Sequence, residues 1–89
     1  MDISSPTAQQ ILDQISRHCP DAMSVYLHCM NRVDDSLTAY FSRDMVEVDM
    51  SEDMRSFRNK IKKLARENLL EWHPLDGGIA VTLAGSHDV

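Results

Sequence analysis

Cysteine and glycine are scarce in this chain, and it contains no long apolar run. Two cysteines, Cys19 and Cys29, are too few for a disulfide framework. If the segment between them is helical, ten residues at about 1.5 Å of rise hold them roughly 15 Å apart. A disulfide spans only about 4.4–6.8 Å between Cα atoms. Free thiols fit a reducing cytosol, so a cytoplasmic location is expected. No apolar stretch approaches the roughly 20 residues that cross a bilayer, and the N-terminus lacks a basic region followed by an apolar one. Neither membrane insertion nor secretion is expected. No Gly-rich phosphate loop, nucleophile elbow or His-Glu metal helix is present. The carboxylate pairs Asp34-Asp35 and Glu52-Asp53 read as a turn and a helix cap. The chain is therefore expected to be no enzyme and to use no cofactor.

What remains is enough for one domain. At 89 residues the chain has room for a single core spanning 1–89, with about residues 1–4 and 86–89 expected to be disordered ends. A chain this short buries only about 60–65% of its unfolded surface, which favours a homodimer or another partner. Apolar residues make up 43% and charged residues 26%, the balance of a globular protein rather than a disordered one. The formal net charge of −5 alone counts against nucleic-acid binding, since phosphate neutralisation supplies much of that affinity. Its distribution argues the other way. Six of the nine Lys and Arg residues (Arg55, Arg58, Lys60, Lys62, Lys63 and Arg66) lie within twelve positions, behind most of the carboxylates.

Along the chain, Ser5 is an N-cap candidate with Pro6 at the first helical position. Ala8, Ile11, Leu12 and Ile15 then recur with helical period to about His18. Pro20 stops that helix and, with Asp21, opens a second one carrying Ala22, Val25, Tyr26, Cys29, Met30 and Val33 to about Asn31. Asp34-Asp35-Ser36 ends it. The stretch from Leu37 to Met50 has two readings. Leu37 to Phe41 looks like a strand and Val46 to Met50 alternates like one, yet Ser42 can cap a short helix over residues 43–47. Ser51, followed by Glu52 and Asp53, is the expected start of the next helix. Its apolar stripe is Met54, Phe57, Ile61, Leu64 and Ala65. Arg55, Arg58, Asn59, Lys62 and Arg66 fall on a neighbouring face, with Lys63 at its edge. Leu69 to Trp72 and Ile79 to Leu83 then read as strands joined by a turn at Asp76-Gly77-Gly78. The expected class is α+β.

From about Phe41 to Gly85 this order resembles the winged helix-turn-helix family of bacterial and phage regulators. The likeness rests on a short element, a cap, and a long helix ending in Lys62-Lys63-Leu64-Ala65-Arg66. Leu69-Leu70-Glu71, a glycine-bearing hairpin and Val81-Thr82-Leu83-Ala84-Gly85 complete it. The resemblance implies two N-terminal helices, a basic third or fourth helix that enters the major groove of double-stranded DNA, and a C-terminal hairpin wing. It makes Arg55, Arg58, Asn59, Lys62, Lys63 and Arg66 the candidate DNA contacts. Asn can read adenine and Arg guanine, while lysines meet phosphates. A dimer on a two-fold site would use the first two helices as its face.

Each of these features has a plainer reading. The basic helix can be a solvated face tied to Glu52, Asp53 and Glu67. His18-Cys19 and His28-Cys29 resemble metal-ligand pairs, but they sit at opposite ends of one helix, so a buried Cys29 and surface histidines are expected instead. Met30 and Met54 are expected in the core, and Trp72 at its edge rather than stacked on a base. The net charge and the absence of Lys and Arg from residues 73–78 favour a second function. In that reading an interaction module, or an inhibitor, binds a basic protein through its carboxylates, with Asp44, Glu47 and Asp49 foremost.

Overall fold

A computed structural model describes residues 8–84, and over that range the protein is α+β. Three α-helices are joined by a 3₁₀ turn and a π-helical turn, with a small antiparallel sheet. The Ser5 and Pro6 cap and both expected disordered ends lie outside the described residues. No helix among the described residues is long and apolar enough to cross a membrane.

Helix α1 (Ala8–His18) buries Ile15 completely and packs Ile11 and Leu12 against the core. Pro20 opens a 3₁₀ turn (Pro20–Ala22), which leads directly into α2 (Met23–Arg32). The expected stripe holds for Ala22, Val25, Tyr26 and Cys29, all buried. It fails for Met30, which is 41% exposed. One helical step of 100° beyond Cys29 carries Met30 past the edge of a stripe that is itself only about 100° wide. Asp34 then reverses the chain. Its Oδ1 accepts hydrogen bonds from Ser36 N (2.9 Å), Ser36 Oγ (2.7 Å) and Thr38 N (3.1 Å). These bonds hold the Asp34 carboxyl below its ordinary pKa.

Residues 37–50 realise the first expected strand and then the short helix, and not the second strand. Strand β1 (Thr38–Ser42) is followed by a helical segment, residues 43–49, whose last five (Met45–Asp49) are π-wound. Ser42 makes the change, its Oγ accepting from Met45 N at 3.1 Å. The alternation of Val46 and Val48 does not mark a strand, which would put both on one face. Val46 is buried and Val48 is 73% exposed.

The start of the next helix differs from expectation. Ser51 is not the cap: it takes φ 51°, in the left-handed region, and Glu52 N reaches back to Val46 O at 3.1 Å. Helix α3 (Met54–Arg66) is capped by Asp53, whose Oδ2 accepts from Ser56 N at 3.2 Å. At the other end Asn68 takes φ 62°, Leu69 N bonds Leu64 O and Asn68 N bonds Ala65 O. This is a Schellman stop, closed by two buried leucines.

Strands β2 (Leu70–Leu75) and β3 (Gly78–Leu83) form the expected hairpin, with Gly77 at φ 74° in the turn. The sheet order is β1-β3-β2, so β1, far away in sequence, becomes the hairpin's third strand. Phe41 pairs with Ile79 and Ala39 with Val81. A Cβ added at Gly78 would fall on the Phe41 carbonyl oxygen, so that crossing tolerates only glycine. Pro74, which has no N–H to donate, sits on the edge strand β2. The inner face of the sheet meets α3 through Phe41 and Phe57, whose ring centroids are 5.1 Å apart. Met54, Phe57, Ile61 and Leu64 are buried there, as the stripe predicts, and Ala65 packs against them half-buried.

Candidate nucleic-acid interface

Core burial of one stripe of α3 forces the opposite side outward. Arg55, Asn59, Lys62 and Arg66 are exposed, and Arg58 and Lys63 are half-buried. The six candidate residues therefore share one helix but not one environment.

Two of the basic side chains nearest the body of the protein are neutralised. Lys60 Nζ lies 2.6 Å from Glu52 Oε2, which also accepts the Ser56 hydroxyl at 2.6 Å. With side chains only 21% and 15% exposed, this pair is less screened than a surface pair. Partial burial pushes the Glu52 carboxyl up, but the Lys60 ammonium and Ser56 hydroxyl pull it further down, leaving it below its ordinary value. Lys63 Nζ sits 2.7 Å from Asp21 Oδ2 on the 3₁₀ turn. That hydrogen bond lowers the Asp21 pKa. Lys63, a candidate contact, thus ties α3 to the turn before α2.

The remaining candidates keep their donors available. Among the described residues Arg55, Arg58, Asn59 and Arg66 have no side-chain hydrogen bond or ion pair. Lys62 Nζ stands 5.9 Å from the centre of the Trp72 ring, within reach of a cation–π contact. Trp72 is half-buried against the core, which fits its expected structural place, and its exposed side positions Lys62. The ties expected from Asp53 and Glu67 to this face are absent. Asp53 caps the helix, and Glu67 bonds Gln14 Nε2 (2.9 Å) and His18 Nδ1 (2.7 Å) on α1. Those two contacts lower the Glu67 pKa, His18 foremost.

Sequence reasoning missed one cation. Arg43, just after β1, comes beside Arg58 and Met54 next to the hairpin turn. It pairs with Glu47 at 3.5 Å while remaining 69% exposed, an arrangement contributing about 0.2–1 kcal/mol at most. Arg43 lies twelve residues upstream of the basic run and carries no periodic signal, so only the tertiary fold brings it there.

The His-Cys pairs do not converge. Both thiols are buried, and burial pushes the Cys29 pKa to about 12. Burial, then the Glu67 charge, raises that of Cys19. Thiols held protonated are poor metal ligands and poor nucleophiles. No group of three or more His, Cys, Asp or Glu among the described residues is placed to hold a metal. Comparison with protein-family models, with curated proteins and with solved structures finds no match to this chain.

Proposed function

We propose that this chain is a winged helix-turn-helix module that binds double-stranded DNA in a sequence-specific manner through α3, as a cytoplasmic transcriptional regulator. The observation that carries this reading is the sorting of charge on α3. Lys60 is paired with the part-buried Glu52 and Lys63 with the exposed Asp21, while the exposed Arg55, Asn59 and Arg66 and the half-buried Arg58 have no described partner. Side chains left with open donors along one helix are what contact with phosphates and base edges requires. The topology supports the same reading. Helix α2, strand β1, the 43–49 segment, α3 and the hairpin follow one another in the order the winged-helix arrangement requires, with β1 added to the hairpin.

In this reading Asn59 and Arg66 face base edges and Lys62 faces phosphate. The chain acts by occupancy, as a homodimer on a two-fold site. Leu27 and Met30, exposed one turn apart on α2, supply apolar area for the dimer face. Selection from a random duplex library at two salt concentrations tests the proposal. Wild type is expected to enrich one motif, and the Arg55→Ala/Lys62→Ala/Arg66→Ala variant to lose it. Each lost phosphate contact should reduce the slope of log K against log salt by about one. Failure of wild type to retain any duplex at either salt would sink the DNA reading.

One observation favours a second function. Asp44, Glu47 and Asp49 are exposed around Val48, itself 73% exposed, an acidic surface with an apolar centre suited to a basic protein partner. There, Asp44→Asn, Glu47→Gln and Asp49→Asn abolish binding, whereas the α3 triple variant leaves it intact.

A further inference from the structure

We propose that the cleft between the hairpin turn and the first two turns of α3 is a phosphate-binding site, with Arg43, Arg55 and Arg58 as its ligands. The proposal deepens the DNA reading by supplying a backbone contact at the hairpin, and it rests on that reading for the source of the phosphate.

Two adjoining concavities, of about 260 and 420 Å³, share Arg43, Met54 and Arg58 in their walls. The smaller is closed by the hairpin end at Gly77 and Gly78, the larger by Arg55 and Asp53. Arg43 comes from a different element than the other two, and its position is fixed: its backbone N–H donates to Gly77 O at 3.0 Å. Arg43, Arg55, Arg58 and Asp53 line the cleft, and with Glu47 paired to Arg43 the local balance is +1 in a chain of −5. Asp53 is committed to capping Ser56. Glu47 Oε2 stands 3.5 Å from Arg43 Nε with both side chains well exposed, a screened pair that an incoming anion can displace. Arg55 and Arg58 have no described carboxylate partner. On the turn side, a Cβ at Gly77 would meet nothing within 4 Å, so that wall admits an approaching group.

Guanidinium forks match the oxygens of phosphate in pairs, and three arginines lining adjoining concavities suit a group with several anionic oxygens better than a single carboxylate. Residues 73–78 hold no Lys or Arg, so the hairpin itself offers phosphate no cation. The cleft puts three cations beside it. A strand lying along Arg55, Arg58, Lys62 and Arg66 would have one of its phosphates at this end of the row.

Inorganic phosphate titrated into the protein at constant ionic strength, followed by amide and arginine Nε resonances, tests the cleft without DNA. Saturable shifts at Gly77, Gly78 and Arg43 are expected in wild type and absent from Arg43→Ala/Arg58→Ala. This variant keeps the backbone bond to Gly77, and its dispersed spectrum reports the fold. With a duplex as probe, the same variant should bind about tenfold more weakly, with a salt slope smaller by about two. Phosphate shifts without any duplex binding by wild type would uphold the cleft as a site for a free phosphate group and reject the DNA reading. Duplex binding unchanged in the variant, with no saturable phosphate shift in wild type, would overturn the cleft while leaving the DNA reading intact.

Discussion

The helical segment 43–49 and α3 are consecutive helices of opposite character. The first is short, partly π-wound and acidic, with Val46 its buried anchor. The second has 13 residues, a side-chain cap, a Schellman stop and a four-residue buried stripe. Helix α3 carries its own instructions, because several local signals agree over enough turns to outweigh alternatives. The 43–49 segment carries few. It is helical because Ser42 caps it, Val46 finds the core, and Glu52 N closes it from beyond Ser51. A strong pattern thus dictates its structure locally, and a weak one takes its structure from its neighbours.

Core truncation should separate the two most strongly. Phe57→Ala removes the ring that meets Phe41 and is expected to cost about 3–5 kcal/mol, a large share of the roughly 5–15 kcal/mol available to a domain. Val46→Ala should cost about 1–2 kcal/mol, since fewer atoms leave the core. Urea midpoints of both variants check the ranking; equal losses would mean that 43–49 is as firmly anchored as α3.

The charge contrast gives the next effect. If α3 lies on DNA, the acidic segment repels phosphate, and Asp44→Asn/Glu47→Gln/Asp49→Asn should tighten duplex binding about tenfold at low salt, about 1.4 kcal/mol. A protein partner recognised by those carboxylates would instead be lost. Filter retention of one duplex with both proteins distinguishes these outcomes.

The junction between the two segments tests which residue starts α3. Asp53→Ala should cost about 1 kcal/mol through loss of the cap. Ser51→Ala removes no described side-chain bond and should change thermal stability little, while Ser51→Gly should be neutral or slightly stabilising at its positive φ. A larger loss at Ser51 than at Asp53 would restore Ser51 as the cap.

The smallest effect concerns the pair that braces α3. Glu52 has a folded-state pKa below its ordinary 4.5, so its contribution is complete above about that pH and is lost as pH falls through the depressed folded value. Glu52→Gln should therefore be less stable than wild type at pH 7, and the gap should close in acid. Denaturant midpoints between pH 7 and pH 3 measure it. Asp21, Asp34 and Glu67, all lowered by hydrogen bonds, add acid sensitivity of the same sign.

Much of the fold was legible in order and type. The Ile11-Leu12-Ile15 spacing, the Pro20 break, the stripe of α3 and the Gly77 turn each carry a local cause, and each gave its element. The candidate site was legible as a face of α3, because period and charge both reside in sequence. Its internal division was legible only in part. The tie from Glu52 to the basic helix was legible, but nothing local says that Asp21 takes Lys63 or that Arg43 joins Arg58, since each of these crosses between elements. Met30 was misplaced because a stripe's edge depends on what packs against it.

By itself, then, the sequence determined where α1, α2 and the hairpin turn fall and which side of α3 is positive, because helical period, proline breaks and glycine freedom act within a few residues. Only the tertiary structure decided that β1 pairs with β3 and which cations stay free. Those outcomes depend on groups distant in sequence meeting at hydrogen-bond range, and no local pattern encodes that distance.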